Sequence, residues 1–308
     1  SVNAMPAYTA DYFSRVGFKS TCQGGPDQLP SVGAGNLFAD LIRSGRVETV
    51  RLTEIFRQAS QSLIVMNAHA VNHGELPVLN RTDRDFFFLR RRDPETVVQT
   101  IAQLCQTRLP KNMGIPATEI QVLSPTRKGE TGTKNLNLAL QAVLNPPAAG
   151  KKEKRYGDFS FREGDRVMQI RNNYDILWKN PNGLGAGTGI FNGDIGVIVQ
   201  IDYEAELVTV DFDDKRAEYA FDLLGELEPA YAMTIHKSQG SEYRAVILSA
   251  FAGSPYLLTR SVLYTAIARA RELLIVVGDE EVLAAMVRND RRQKRYSGLK
   301  LRLEEGTA

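Results

Sequence analysis

The sequence predicts an α/β protein: a parallel sheet with helices on both faces, interrupted by a small β-barrel. Three observations predict it. Strand-like and helix-like apolar patterns alternate over residues 36–145. A Pro/Ala/Lys-rich linker, "PPAAGKKEKR" (146–155), then leads into short β-rich runs with no helix between them. The alternating pattern returns at "YAMTIHKSQGSEYRAVILSA" (231–250).

Taken in order, "NLFADLIRSG" (36–45) carries apolar residues at Leu37, Phe38, Leu41 and Ile42 and closes on Gly45, as a short helix does. A strand-like run to Leu52 follows in "VETVRLTEIFRQ". "SLIVMNAHAVNHG" (62–74) predicts a helix stopped by Gly74, and "RDFFFLRR" (84–91) a strand. "PETVVQTIAQLCQTRL" (94–109) has helical spacing at Val97, Val98, Ile101, Leu104 and Cys105. "IQVLSPT" (120–126) predicts a buried strand and turn, and "TKNLNLALQAVLN" (133–145) a helix.

Four short strands are expected in the middle: "DRVMQIRN" (165–172), "DIGVIVQID" (194–202), "ELVTVDF" (206–212) and "RAEYAFD" (216–222). The first two are separated by a long Gly/Asn-rich loop, and the last two form a hairpin turning at Asp213–Lys215. "RSVLYTAIARA" (260–270) predicts a helix, "ELLIVVGD" (272–279) a buried strand and "EEVLAAMVRN" (280–289) a last helix.

Composition narrows the classes. The 308 residues are 43% hydrophobic and 24% charged, which suits a globular protein of about two domains. A net charge of +2 does not announce nucleic acid, so any basic footprint must be local. No run of 18 apolar residues is present, so no membrane partner is expected. Cys22 and Cys105 match no metal spacing and fit a reducing cytoplasm, where the protein is expected.

A Walker A loop, G-x-x-x-x-G-K-[ST], would cradle phosphates on backbone N–H groups. "KGETGTKN" (128–135) has its glycines at the wrong spacing and Asn135 where Ser or Thr should stand. "GLGAGTGIFNG" (183–193) has no Lys. Both read as flexible loops.

Four stretches in one order nevertheless resemble superfamily-one DNA helicases of the RecD-like kind, which include the alpha subunit of exodeoxyribonuclease V. They are "GGPDQLPSVG" (24–33) for motif III, "LTEIFRQ" (52–58) for motif IV, "TIHKSQGSEY" (234–243) for motif V and "LYTAIARARELLIVVG" (263–278) for motif VI. The chain departs at Gly25, where the family has Asp. The resemblance implies a RecA-like sheet and an SH3-like β-insert. It implies a remnant of a first RecA-like domain over 1–35. The second RecA-like domain would span 36–154 and 229–290, the insert 155–228 and a basic tail 291–308. The phosphate cradle would lie on a first domain preceding motif III, so the chain reads as the C-terminal portion of a longer motor. The implied activity is ATP-dependent 5′–3′ DNA unwinding in recombination and repair. ATP and Mg²⁺ would serve the intact protein, and neither would bind this portion tightly. Implied partners are single-stranded DNA, the N-terminal half of the same protein, and subunits of the RecB and RecC type.

The resemblance also implies site residues. Arg57 and Arg269 match the two arginines that meet the γ-phosphate, where a permanent charge on a planar fork suits a developing negative charge. Gln28 would sense the phosphate through its amide. Gly240 and Glu242 match nucleotide contacts, the carboxylate accepting from ribose hydroxyls. Thr126, Arg127, Asn135, Asn192, Thr234, His236 and Lys237 match or adjoin nucleic-acid contacts. Arg271 is either a support or exposed.

Blander readings stand beside these. The arginines could be surface ion pairs, Gln28 a turn residue and Glu242 a carboxylate favoured by a helix dipole. The basic runs "RRR" (90–92), "KKEKR" (151–155) and "RRQKR" (291–295) read first as solvated faces. His69 and His73 lie four apart, but Ala70 stands where a zinc protease has Glu. "DFDDK" (211–215) falls at a hairpin tip, which argues against a nuclease centre. The alternative function is a noncatalytic module that binds single-stranded DNA or docks a protein.

Overall fold

The computed structural model describes residues 37–47 and 61–291. The stretches carrying Gln28 and Arg57, the run toward Leu52 and the tail from residue 292 lie outside the described residues.

The first elements follow the periodicity. Helix α1 spans Leu37–Ser44 and α2 spans Leu63–Asn72, with Ser62 Oγ capping α2 by accepting from the Val65 amide. Strand β1 (Phe86–Arg90) and helix α3 (Pro94–Gln103) follow, with Asp93 as the cap of α3. The predicted helix over 94–109 is in fact three pieces. A π-helical turn at Leu104–Arg108 joins α3 to a short α4 (Leu109–Met113), and the Leu109 amide reaches back to the Leu104 carbonyl. Pro110 has no amide hydrogen to continue the α-helical ladder, and the wider turn ends just before it.

Strand β2 (Ile120–Ser124) is buried along its whole length, and α5 (Thr133–Leu144) follows it. Then come β3 (Glu153–Tyr156), β4 (Phe159–Arg162), β5 (Arg166–Gln169), β6 (Asn173–Lys179), β7 (Ala186–Ile190), β8 (Ile195–Asp202), β9 (Leu207–Phe212), β10 (Lys215–Ala220) and β11 (Leu227–Pro229). The chain returns to the parallel sheet with β12 (Ala232–Thr234), β13 (Tyr243–Ala250), α6 (Arg260–Ile267), β14 (Ala270–Gly278) and α7 (Glu280–Arg288).

The parallel sheet has the order β1-β14-β13-β2-β12. Its strands alternate sides one residue at a time. Val246 and Leu248 of β13 and Leu274 and Val276 of β14 pack with α2, α6 and α7. Ala245, Ile247, Leu273 and Ile275 pack with α3 and α5 on the other face. Both faces are thus covered, which is why these strands read as continuous apolar runs.

The middle strands form an antiparallel sheet of order β11-β5-β8-β9-β10-β6-β7, with its own core around Val208, Val210 and Tyr219. The ladder ends on β11 and β7, so the predicted barrel is an open, curled half-barrel. The expected Gly/Asn-rich loop is instead the β6–β7 hairpin, in which Leu177 pairs with Thr188 and Trp178 with Gly187. A Cβ on Gly187 would stand 2.5 Å from the Trp178 ring, so the indole requires glycine opposite it. The composition that suggested a loop is the cost of seating that ring. The β9–β10 hairpin turns through Asp213 and Asp214, with Asp213 at φ 52, and Lys215 already lies in the strand.

Candidate functional site

The site residues fall at opposite ends of the parallel sheet. Arg269 lies at the N-terminal end. The predicted helix over 260–270 stops at Ile267, so Arg269 occupies the turn just before β14, and Ala270 and Arg271 are strand residues. Its backbone carbonyl accepts from the Tyr243 amide at the start of β13. The side chain is only 6% exposed. Its Nε donates to the Thr265 carbonyl at 3.2 Å and its Nη1 to the Ser241 carbonyl at 2.9 Å. Neither partner carries a compensating charge. Burial pulls the Arg269 pKa down, and the nearby Glu242 carboxylate opposes that pull. The group stays ionised regardless, because guanidinium starts so high.

Glu242 and Gly240 adjoin this arginine in the segment 239–242, and both are exposed. Gly240 has φ +79 with nothing within 4 Å of a Cβ placed on it. Glycine there satisfies a left-handed turn rather than a close backbone approach. Arg271 is exposed.

The other cluster sits at the C-terminal ends of β2 and β12, whose last residues Ser124 and Thr234 pair. Thr126 and Arg127 leave β2 toward α5, while His236 and Lys237 follow β12 in a single 3-10 turn, Ile235–Ser238. Arg127 and His236 are exposed, and Thr126, Thr234 and Lys237 are half-buried. Arg127 Nη2 donates to Glu228 Oε1 at 2.6 Å, and Lys237 Nζ donates to Glu228 Oε2. Thr126 Oγ1 donates to the Lys128 carbonyl, and Asn135 Nδ2 donates back to the Glu130 carbonyl at 2.7 Å. Thr126, Lys128 and Thr131 also line a shallow open cavity of about 160 Å³ with Phe251, Ala252 and Gly253. That is small for a nucleotide.

Asn192, in the turn between β7 and β8, is exposed, and its amide donates to Asn172 Oδ1 at 3.0 Å. It belongs to the same seam of the molecule as Glu228. Glu228 pairs with Met168, and the next residue, Gln169, accepts from the Gly193 amide. Segment 235–242 joins the two ends of the sheet, because β12 and β13 run in the same direction and the chain must return before β13 begins.

Three polar residues escaped the sequence reading. Glu228 is one. Asp165 is another: it is fully buried and accepts from Gln141 Nε2, Asn145 Nδ2, Tyr231 Oη and its near neighbour, the Arg162 amide, at 2.7–2.8 Å. It ties α5 and the approach to β12 to the half-barrel. Burial raises its pKa despite those four donors, which each pull the other way. Arg166 is the third; its Nη1 donates to the Ile120 carbonyl at the N-terminal end of β2. Long sequence separations, such as 66 residues between Asp165 and Tyr231, left no local signal.

The arrangement fits part of a nucleotide site: a desolvated guanidinium beside an exposed carboxylate. Among the described residues no group of three or more His, Cys, Asp or Glu is placed to hold a metal ion. No helix among the described residues is long and apolar enough to cross a membrane.

Comparison with known proteins agrees with the sequence motifs. Residues 136–212 match the ATP-dependent RecD-like DNA helicase SH3 domain, 229–277 the UvrD-like helicase C-terminal domain, and 8–87 an AAA domain. The chain is similar to the ATP-dependent RecD2 DNA helicase of Deinococcus radiodurans, 32% identical over 83% of this chain and 32% of that protein. It is similar to the RecBCD enzyme subunit RecD of Mycobacterium tuberculosis, 28% identical over 94% of this chain and 49% of that protein. A Pif1 helicase from Bacteroides, solved with ADP-AlF3 and single-stranded DNA, aligns at 16% identity and a TM-score of 0.42 over 81% of this chain and 60% of that one. The chain thus spans about a third of the length of one of these curated relatives and about half of the other.

Proposed function

We propose that this chain, a RecD-like helicase sequence over most of its length, is the C-terminal motor portion of an ATP-dependent 5′–3′ DNA helicase. On this reading 36–154 with 229–290 form the second RecA-like domain, 155–228 its SH3-like insert, 1–35 part of the first domain and 291–308 a tail. On the same reading the Walker A loop would belong to the first RecA-like domain, and the second domain with its insert would turn over no ATP by itself.

The observation that carries the reading is Arg269. A buried cation whose hydrogen bonds go to neutral carbonyls, with only the exposed Glu242 carboxylate near it, is costly for a fold to keep. The expense makes sense where an anion arrives from outside. A bound nucleotide supplies a phosphoryl group whose transfer to water builds negative charge on its oxygens. Arg269 would stabilise that charge in a water-poor setting, where the effect is strongest. Arg57, also matched to the phosphate, would add a second cation, and Gln28 would report whether the phosphate is present. Glu242 would accept from the ribose hydroxyls, with Gly240 shaping the turn that presents it. Arg127, Lys237, Thr126, Asn135, Thr234, His236 and Asn192 would follow a single strand at the other end of the sheet. Subunits of the RecB and RecC type remain candidate partners, because one relative is a RecBCD subunit.

The experiment joins the chain to the N-terminal half of its parent protein and measures DNA-stimulated ATPase with and without Arg269→Ala. The variant should lose on the order of 10³ in turnover with its unfolding curve unchanged. Equal turnover would remove Arg269 from the chemistry and favour a binding module.

A further inference from the structure

Glu228 is placed where no motif called for it. Each of its carboxylate oxygens accepts from a different cation: Oε1 from Arg127 Nη2 at 2.6 Å and Oε2 from Lys237 Nζ. The two cations come from the parallel sheet, off the ends of β2 and β12. Glu228 comes from β11, in the half-barrel. Its side chain is 22% exposed, Arg127 53% and Lys237 29%, so water and a solute can reach the pairs.

The chemistry of this bridge is that of a phosphodiester. Two anionic oxygens on one centre receive one guanidinium and one ammonium, the donor set that holds nucleic-acid backbones. Ion pairs that water still reaches add little to stability, so stability alone does not account for Arg127 and Lys237 meeting on one carboxylate. The same exposure makes the pairs easy to exchange.

We propose that Glu228 is an internal stand-in for a DNA phosphate: it holds Arg127 and Lys237 in place while no strand is bound and gives way when a backbone phosphate enters. This deepens the reading of the C-terminal end as a single-strand site and rests on it. Glu228 is then a positioning residue with an inhibitory side. It pre-orders two flexible side chains and also competes with the ligand. Binding exchanges two intramolecular ion pairs for two phosphate contacts, so affinity is held below what the cations could give.

The test is fluorescence anisotropy of a labelled oligothymidylate with the 308-residue chain across a salt series. Glu228→Gln keeps the shape and removes the charge. It should tighten binding by roughly fivefold at low salt, the scale of exposed ion pairs, and the gain should shrink as salt rises. Glu228→Asp, with its shorter reach, should give a smaller gain. The gain should vanish in the Arg127→Ala, Lys237→Ala background, where nothing is left to release. Weaker or unchanged binding by Glu228→Gln, with a wild-type unfolding curve, overturns the proposal. If neither Arg127→Ala nor Lys237→Ala weakens oligothymidylate binding, the single-strand reading itself fails, a result distinct from the first.

Discussion

The two ends of the parallel sheet treat positive charge in opposite ways. At the N-terminal end, Arg269 is buried and donates only to the Thr265 and Ser241 carbonyls. At the C-terminal end, Arg127 and Lys237 stay in reach of water and share the Glu228 carboxylate. A buried cation hydrogen-bonded to neutral carbonyls, with its nearest carboxylate out in solvent, is fixed in place and strong toward an incoming anion, because little water screens it. A paired cation that water still reaches is weak toward any one anion and readily exchanged. The first suits a charge that must act at one moment of a reaction. The second suits a strand that must be gripped and released repeatedly. Open α/β sheets usually bind ligands beyond the carboxyl ends of their strands. Here the arginine matched to catalysis lies at the other end, and segment 235–242 runs between them.

The largest expected effect tests whether the fork, rather than the charge alone, matters at the N-terminal end. Arg269→Lys keeps the charge but cannot donate to both the Thr265 and Ser241 carbonyls while presenting a planar face. In the joined protein it should lose ATPase turnover nearly as far as Arg269→Ala, on the order of 10³. Substantial activity in the Lys variant would mean that this end needs only a point charge, and the contrast with Lys237 would weaken.

The next effect concerns what keeps the half-barrel, and with it Glu228, in register with the sheet. Asp165 gathers four donors: Gln141 of α5, Asn145 just after it, Tyr231 and the Arg162 amide at the end of β4. Asp165→Ala removes the acceptor of the buried Tyr231 hydroxyl and of the Arg162 amide, and leaves Gln141 and Asn145 only the Ser160 and Glu163 carbonyls. It should cost about 3 kcal/mol in urea unfolding of the 308-residue chain. A loss within experimental error would show that apolar contact alone docks the half-barrel. The C-terminal cluster would then not depend on this pin.

A smaller effect belongs to the C-terminal end. If Lys237 meets a backbone phosphate, Lys237→Ala should weaken oligothymidylate binding evenly across sequences. It should lower the slope of log affinity against log salt by about 0.7. An unchanged slope would mean that Lys237 does not meet the backbone and that its partner is Glu228 alone.

Much of this contrast was open to the sequence, and the rest was not, for reasons that differ by residue. The strands β2, β13 and β14 were legible because burial on both faces makes their text uniformly apolar. The hairpin β6–β7 was missed because Gly187 and Gly189, which read as loop, sit beside the Trp178 and Phe191 rings. The helix before β14 was read too long because Ala268, Arg269 and Ala270 are good helix formers. Only the start of strand pairing at Ala270 with Tyr243 sets its end. Motif V told of Lys237 but nothing in "ELEPAY" marked Glu228, whose partners are 101 and 9 residues away. Arg57 and Gln28 lie outside the described residues and stay expectations from sequence.

The smallest effect separates the buried arginine from an exposed neighbour at the same end. Arg244, in β13, donates to Glu119 at 2.6 Å and to Glu272 at 2.8 Å, all three on the surface. The hydrogen bond from Arg244 holds the Glu272 carboxyl below its ordinary value of 4.5. A carboxyl with a lowered folded-state pKa binds fewer protons when folded than when unfolded. Its stabilisation is therefore complete above 4.5 and is lost as pH falls through the lowered folded value. Arg244→Ala should lower the urea midpoint slightly near neutral pH, and the difference from wild type should close once the medium is more acidic than the carboxylate range. High salt should narrow it as well. ATPase in the joined protein should not change, because the surface triad faces water while Arg269 does not. A fall in turnover with Arg244→Ala would mean that the two arginines act together and that burial is not what sets Arg269 apart.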